Sequence, residues 1–448
     1  MGKHHVAGLL LVVLIGLCAR PYGCTSICFD KKGQLILGNN LDWFCGYGMV
    51  IVNKRHVQKH GFWYANSPTW NWTSKYGSIT VNAEGREFPV RGMNEAGLAI
   101  VEMTLPETQF PQPDTRPVLS TLQWIQYQLD KNATVEEVIA SDSLIRIDPH
   151  DGPSHFLICD SSSKTVCIEW LGGQLVFFTD STLPIPALAN SSYATSIAYP
   201  MGRFKTVADI LAAYDSAQVT DGVGYVFDIL RQVANEYMPP FLTQWRVVYD
   251  VRAMRFYYMT NVNSTIRFVD FKDFDFSCQT PVEVLDINSA DTGNVRSAFV
   301  PYTTALNGAC VDSTFFSYNS DQYNYIIGRK FSEDTINMIA AFPESTFCKE
   351  TPSGVMHTPH PAQVRECRIF PGSASASIHI VLSKPEVCRV AISLFDTRGR
   401  TVASGEVYVT RPGQDRIVWR LPSLARGVYQ CKVIADGVSY VRPVFMRQ

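Results

Sequence analysis

Apolar residues along this chain recur with two periods, and the switches between them mark its elements. From Cys24 to Trp43 the pattern reads as a hairpin, with Ser26 to Phe29 and Gln34 to Gly38 extended around a turn at Lys31 to Gly33 and Gly38 to Trp43 closing it as a loop. Further extended segments are expected at Met49 to Asn53, Ser78 to Val81 and Phe88 to Arg91. Asn94-Glu95-Ala96-Gly97 then turns the chain into the strand Leu98 to Leu105. Leu119, Leu122, Ile125 and Leu129 recur at helical spacing, and Thr134 with Glu137 forms a capping box that opens a second helix. Strands return at Phe156 to Cys159, Thr165 to Trp170 and Gln174 to Phe178. Helical spacing reappears at Phe204, Val207, Ile210, Leu211 and Tyr214, and again at Val226, Ile229, Leu230 and Val233. Strands follow at Trp245 to Asp250, Arg255 to Met259 and Ile266 to Phe271. Blocks of strands alternating with helix pairs suit two sheets sandwiched between helical layers, an α+β architecture.

Beyond this part, Thr351 to Gln363 holds several prolines and histidines and no period, as a linker would. Ala376 to Leu382, Val390 to Phe395, Gly405 to Val409, Asp415 to Trp419, Gly427 to Ile434 and Ser439 to Phe445 are short extended runs separated by turns, the pattern of a small all-β sandwich. The expected organisation is a leader over 1–23, a large domain over 24–347, a linker over 348–367 and a sandwich over 368–448. A chain of 448 residues is longer than one core usually organises.

Charge narrows the partners. With 39 basic and 41 acidic residues the net charge is −2, which argues against nucleic acid or an anionic membrane and in favour of a small-molecule partner. Lys3, His4 and His5 precede an apolar run from Val6 to Cys18, too short to span a bilayer at ~20 residues and typical of a secretory signal, so the mature chain is expected to be exported without a transmembrane segment. Cleavage after Gly23 would expose Cys24 directly, with Pro21 and Gly23 at the positions where small residues are preferred, whereas the better site at Leu17 and Ala19 would leave Arg20 to Gly23 as a short propeptide. Removing it would make Cys24 the first residue.

An N-terminal cysteine unites a thiol nucleophile with an α-amine of pKa near ~8, both halves of an acyl-transfer catalyst. Export also permits disulfides, and the 12 cysteines lack the CxxC clusters of zinc sites. Loss of Cys18 leaves an odd number, so Cys24 would stay free if the others pair; a bond from Cys24 to Cys28 or Cys45 is the plainer alternative. Asp42 can return to the α-amine of Cys24, although a turn aspartate would look the same.

Cys24-Thr25-Ser26, Gly38-Asn39-Asn40-Leu41-Asp42, Gly92-Met93-Asn94-Glu95-Ala96-Gly97-Leu98, Ala189-Asn190-Ser191 and Gly202-Arg203-Phe204 occur in the order found in the choloylglycine hydrolase and penicillin V acylase family. The chain resembles these N-terminal-nucleophile hydrolases over about residues 24 to 345. The resemblance implies a four-layer αββα fold, self-exposure of Cys24 and hydrolysis of a linear amide through a thioester, with no metal or organic cofactor. It also implies roles: Asp42 binds the α-amine of Cys24, the Asn190 side chain and the Thr104 backbone amide hold the oxyanion, and Arg203 stabilises charge near the thiol. One position departs from the family, because Asn39 stands where many members have an arginine against the catalytic cysteine. A neutral amide cannot lower a thiol pKa by charge. Each assignment has a bland counterpart: Asn190 as a loop asparagine in a formal Asn-Ser-Ser glycosylation site, Arg203 as a solvated helix residue.

The C-terminal strands with Ile392 and Leu394, the Asp396-Thr397-Arg398-Gly399 turn and Gly427-Val428-Tyr429 resemble a type IX secretion sorting domain, which would engage the secretion machinery through residues 368–448. An adhesive or carbohydrate-binding sandwich is the alternative. For the whole chain the expectation is an exported cysteine amidohydrolase; the alternatives are an acyltransferase of the same fold, in which an amine replaces water, and a catalytically silent surface binding protein, in which Cys24 is blocked. The family also implies a homo-oligomer. Trp43, Phe44, Tyr47, Trp70 and Trp72 could line an acyl pocket or belong to ordinary cores.

Overall fold

A computed structural model of the chain describes residues 23–62, 70–148 and 152–349, and, further on, 366–371, 377–384, 388–396, 400–409, 413–421, 424, 427–435 and 438–446. The expected leader, the propeptide apart from Gly23, and the linker core lie outside them.

Two sheets carry the first part. The seven-stranded sheet has the order Ala187–Leu188, Thr25–Lys31, Gln34–Trp43, Leu242–Asp250, Arg255–Thr260, Arg267–Asp270, Gly293–Asn294. The nine-stranded sheet runs Gln174–Thr179, Thr165–Leu171, Ser154–Cys159, Ala99–Thr104, Arg91–Asn94, Ser78–Asn82, Met49–Asn53, Glu283–Asp286, Val300–Pro301. Their facing sides share one apolar core, in which Leu37, Val247 and Tyr249 of the first sheet meet Val81, Met93, Val101 and Leu157 of the second.

The two-residue period of a strand decides what each outer face receives. Gly38 faces the helix Gly222–Gln232: a β-carbon built on it would lie 2.4 Å from Val226 Cγ1. Gly92 faces the opposite layer, where its β-carbon would lie 2.7 Å from Leu129 Cδ1 of the helix Thr121–Lys131. Helix, sheet, sheet and helix thus stack as the alternating periods predict. The Thr134 and Glu137 capping box is present at the helix Val135–Ala140.

Three local expectations change. Gly38 to Trp43 continues the second strand, because Asn39, Asn40 and Asp42 find buried partners: Asn39 Nδ2 donates to Thr25 O, Asn40 Nδ2 to Leu230 O, and Thr243 Oγ1 to Asp42. The strand expected at Phe88 to Arg91 is displaced to Arg91–Asn94, where the ladder to Ser78–Asn82 begins. Past Phe271 the pattern had suggested nothing, yet Thr304–Asn319 and Glu333–Ala341 are helices over an aromatic cluster of Phe44, Phe88, Phe315, Tyr318 and Phe342. Phe316 and Leu306 stay exposed on the first of them, so its apolar residues form no single stripe.

Cysteine pairing also differs from the expectation. Among the described residues Cys278 and Cys348 form a disulfide, while Cys24, Cys28, Cys45, Cys159, Cys167 and Cys310 are free thiols. Cys24, Cys28, Cys159 and Cys167 sit in the packed core as small apolar residues.

The C-terminal strands form two further sheets, Glu366–Pro371, Ser377–Lys384, Gly413–Arg420 and Thr401–Val409, Cys388–Phe395, Gly427–Ala435, Val438–Met446. Ile380, Ile392, Leu394, Cys431 and Val433 share their core. The first of these strands starts at Glu366, just ahead of the expected sandwich boundary; Thr397 to Gly399 of the expected turn lie outside the described residues. None of the helices among the described residues is long and apolar enough to cross a membrane.

Candidate active site

Cys24 heads the first strand, one position before its pairing with the second begins at Thr25 and Asn40. The thiol is buried, and its Sγ lies 3.9 Å from the Asp42 carbonyl oxygen. Gly23 is still attached and is buried against Asp42: a β-carbon on it would lie 2.3 Å from Asp42 Oδ2. Only glycine fits beside that carboxyl group without displacing it.

The Asp42 carboxyl group is held from two sides. Thr243 Oγ1 donates to Oδ1 at 2.5 Å, and Arg203 Nη1 lies 3.4 Å from Oδ2. Thr243 reaches it through a bulge, since Thr243 opposes Asp42 while Trp245 opposes Leu41, leaving Gln244 as the extra residue. Arg203, from the first turn of the helix Gly202–Ala212, extends its Nη2 to Asn190 Oδ1 at 2.9 Å. Asn190 Nδ2 then donates to the Thr104 carbonyl oxygen at 2.7 Å. Cys24, Asp42, Arg203, Asn190 and Thr104, scattered over 180 positions of sequence, therefore form one connected group. The second amide hydrogen of Asn190 is left over for another acceptor.

Electrostatics here follow from burial. Burial pushes the Cys24 thiol up to about 12, helped by the Asp42 and Glu102 carboxylates; a backbone hydrogen bond with Asp42 and the Arg91 charge pull it down. Burial likewise pushes the Asp42 carboxyl up to about 7, against the Thr243 hydrogen bond and the charges of Arg203, Arg246 and Arg91. A carboxyl group of this kind accepts a neighbouring ammonium readily, because pairing offsets its desolvation.

The loop bearing Asn190 has its own anchor. Glu169 Oε1 accepts from the Tyr193 backbone N–H at 2.8 Å, at the start of the helix Tyr193–Ala198, and from His155 Nδ1 at 3.1 Å. Among the described residues His155, Cys167 and Glu169 also have the donor types to hold a metal ion, with ligand atoms within 4.8 Å of one another. All three are buried inside the sandwich.

Thr243, Glu169, His155 and Arg91 were not singled out from sequence. Arg91 did carry a signal, being a charge at a strand position that points to the apolar inner face, while its neighbour Gly92 points outward. Of the aromatic candidates, Phe44 and Trp72 belong to cores, Trp43 and Trp70 pack against those cores, and Tyr47 is exposed.

A four-layer sandwich with a cysteine at the head of its first strand has the fold of N-terminal-nucleophile hydrolases. Residues 24–192 match the linear amide C-N hydrolases of the choloylglycine hydrolase family. A penicillin V acylase of Pectobacterium atrosepticum is 26% identical over 332 residues, which span 61% of this chain and 88% of that protein. Among solved structures, penicillin V acylase from Agrobacterium tumefaciens superposes with a TM-score of 0.55 at 22% identity, covering 62% of this chain and 98% of that one. Conjugated bile acid hydrolase from Clostridium perfringens gives 0.50 at 18%, over 60% and 98%. About the N-terminal 60% of the chain is thus similar to choloylglycine hydrolases and penicillin V acylases, and the protein is an enzyme of the linear amide C–N hydrolase class.

Proposed function

We propose that the protein is an exported amidohydrolase that works through Cys24 once Gly23 has been removed. The observation that carries this reading is the unbroken set of contacts from Cys24 through Asp42 and Arg203 to Asn190 and Thr104. Cutting the peptide bond before Cys24 frees an α-amine beside the Asp42 carboxylate, which orients it. The amine, directly or through water, takes the thiol proton; the thiolate attacks the amide carbonyl; the Asn190 side chain and the Thr104 backbone N–H hold the oxyanion. The leaving amine departs with the proton, and water then releases the acid from the thioester. An oxyanion donor of this type contributes roughly 3 kcal/mol to lowering the barrier.

The acyl group is proposed to be apolar. Tyr199 and Met201 ahead of Arg203, and Tyr237 and Met238 ahead of Thr243, expose large apolar side chains on the segments that lead into the site. Phenoxyacetyl amides, fatty acyl amides and bile-acid conjugates are the first substrates to try. Export is supported by the apolar leader and by the Cys278–Cys348 disulfide, a bond that persists mainly in oxidising compartments. The C-terminal sandwich would serve secretion or surface attachment.

Intact-mass spectrometry of the secreted protein, combined with Cys24→Ala, tests the core of this reading. The mature chain is expected to begin at Cys24, and the variant to keep its fold and lose turnover. A chain that retains Gly23 yet hydrolyses amides, or an active Cys24→Ala protein, would remove the mechanism.

A further inference from the structure

Arg91 is fully buried, and its placement serves no structural pairing that accounts for it. A guanidinium stays protonated at any ordinary pH, and enclosing that charge costs several kcal/mol unless an anion compensates. Among the described residues no carboxylate forms a salt bridge with Arg91. Nη1 donates to the neutral Asn39 Oδ1, while Nε and Nη2 have no hydrogen-bond partner. The guanidinium carbon stands 5.7 Å from the centre of the Trp245 ring, a favourable but partial compensation.

Geometry locates the space this cation occupies. Gly92 faces the outer helix, so Arg91 faces inward across the sandwich. Asn39, opposite Ser26 in the neighbouring sheet, faces the same space, as do Trp245 and Tyr249 on the next strand. Ser26 stands two positions from Cys24 and donates inward to Met103 Sδ at 3.4 Å, which puts the Cys24 side chain on that inner face. Arg203, by contrast, is committed to Asp42 and Asn190.

We propose that Arg91, held by Asn39, is a positioning residue whose charge sustains the Cys24 thiolate, with that thiolate as the missing anion of a buried ion pair. The arrangement carries the cation on the facing sheet, where the nucleophile's own hairpin has a neutral amide. Before catalysis the pair is incomplete, which leaves donors free; removal of the thiol proton completes it. Asp42 and Glu102 oppose the thiolate, Arg203 and Arg246 bear on Asp42, and the Tyr249 hydroxyl faces Arg91, so the pH response of the thiol sums these groups.

This inference rests on Cys24 as nucleophile, and its test reads thiol chemistry rather than turnover, so an unidentified substrate leaves it intact. The mature protein is alkylated with iodoacetamide across pH 5 to 10, and the rate at Cys24, which below the thiol's midpoint is proportional to the thiolate fraction and so reports where that midpoint lies, is followed by peptide mass spectrometry. Arg91→Gln should move the midpoint up by about one unit or more, with about a tenfold slower reaction at pH 7, since each unit changes the thiolate fraction tenfold. Arg91→Lys should keep most of the wild-type profile. Asn39→Asp neutralises the guanidinium in place, and it should shift the midpoint in the same direction even if Arg91→Gln does not fold. A folded Arg91→Gln or Asn39→Asp protein with the wild-type midpoint would overturn the proposal, as would an Arg91→Lys profile as altered as that of Arg91→Gln. A heavier N-terminus in any variant reports instead on exposure of Cys24.

Discussion

At the scale of single residues, Gly23 and Asp42 constrain each other. A side chain at 23 would have to displace the Asp42 carboxyl group or the start of the first strand. Gly23→Val is therefore expected to slow exposure of Cys24, visible as accumulated precursor in intact-mass spectra while the protein remains folded. Asp42 also sets a pH signature of the unprocessed chain. Its carboxyl sits near 7 in the fold against an ordinary value of 3.8, so between these limits the folded state binds more protons than the unfolded state. That contribution is fully present below about pH 4 and is lost as pH rises through 7, on the order of 3–4 kcal/mol across the window. Comparing urea midpoints of Cys24→Ala with those of Cys24→Ala/Asp42→Asn from pH 4.5 to 7.5 isolates it. The asparagine variant, which cannot ionise there, should gain relative stability as pH rises.

At the scale of elements, the site depends on how strand ends meet helix starts. Glu169 fixes the backbone of Tyr193, three residues beyond Asn190, from inside the large sheet. Glu169→Gln keeps an acceptor for one partner and weakens both charge-assisted bonds. It should lower kcat several-fold with little change in KM, checked by steady-state kinetics beside a thermal melt that stays within a few degrees. Local rules made much of this level legible: the capping box at Thr134 and Glu137, the alternating strands, and the helices over the sheets all follow from short-range pattern. The Gly38 to Trp43 segment did not, because its asparagines and aspartate look like a loop until Thr25, Leu230 and Thr243 supply their partners. Thr304–Asn319 escaped for the opposite reason, with apolar residues on several faces and no stripe to read. Four of the five site residues rested on motif order. Arg91 and Glu169 needed the facing sheet and the neighbouring strand, which no single stretch of sequence contains.

At the scale of the whole molecule, the Cys278–Cys348 bond joins positions 70 residues apart. A cross-link closing a loop of that length contributes roughly 4 kcal/mol by restricting the unfolded chain. Cys278→Ser with Cys348→Ser should lower the thermal midpoint by several degrees while sparing the alkylation profile of Cys24, as calorimetry and the iodoacetamide assay would show. The same bond determines how the fold would meet mechanical force. Cys348 lies at the end of the catalytic part of the chain, and Cys278 lies just ahead of Glu283–Asp286, an inner strand of the nine-stranded sheet. Tension drawn through the C-terminal segment, as shear on a surface-held enzyme would draw it, enters at that inner strand and bypasses the two-residue strand Phe347–Cys348. Peeling from the end is thereby replaced by shearing a strand whose two edges are both hydrogen-bonded, the more resistant of the two ways to pull a sheet apart.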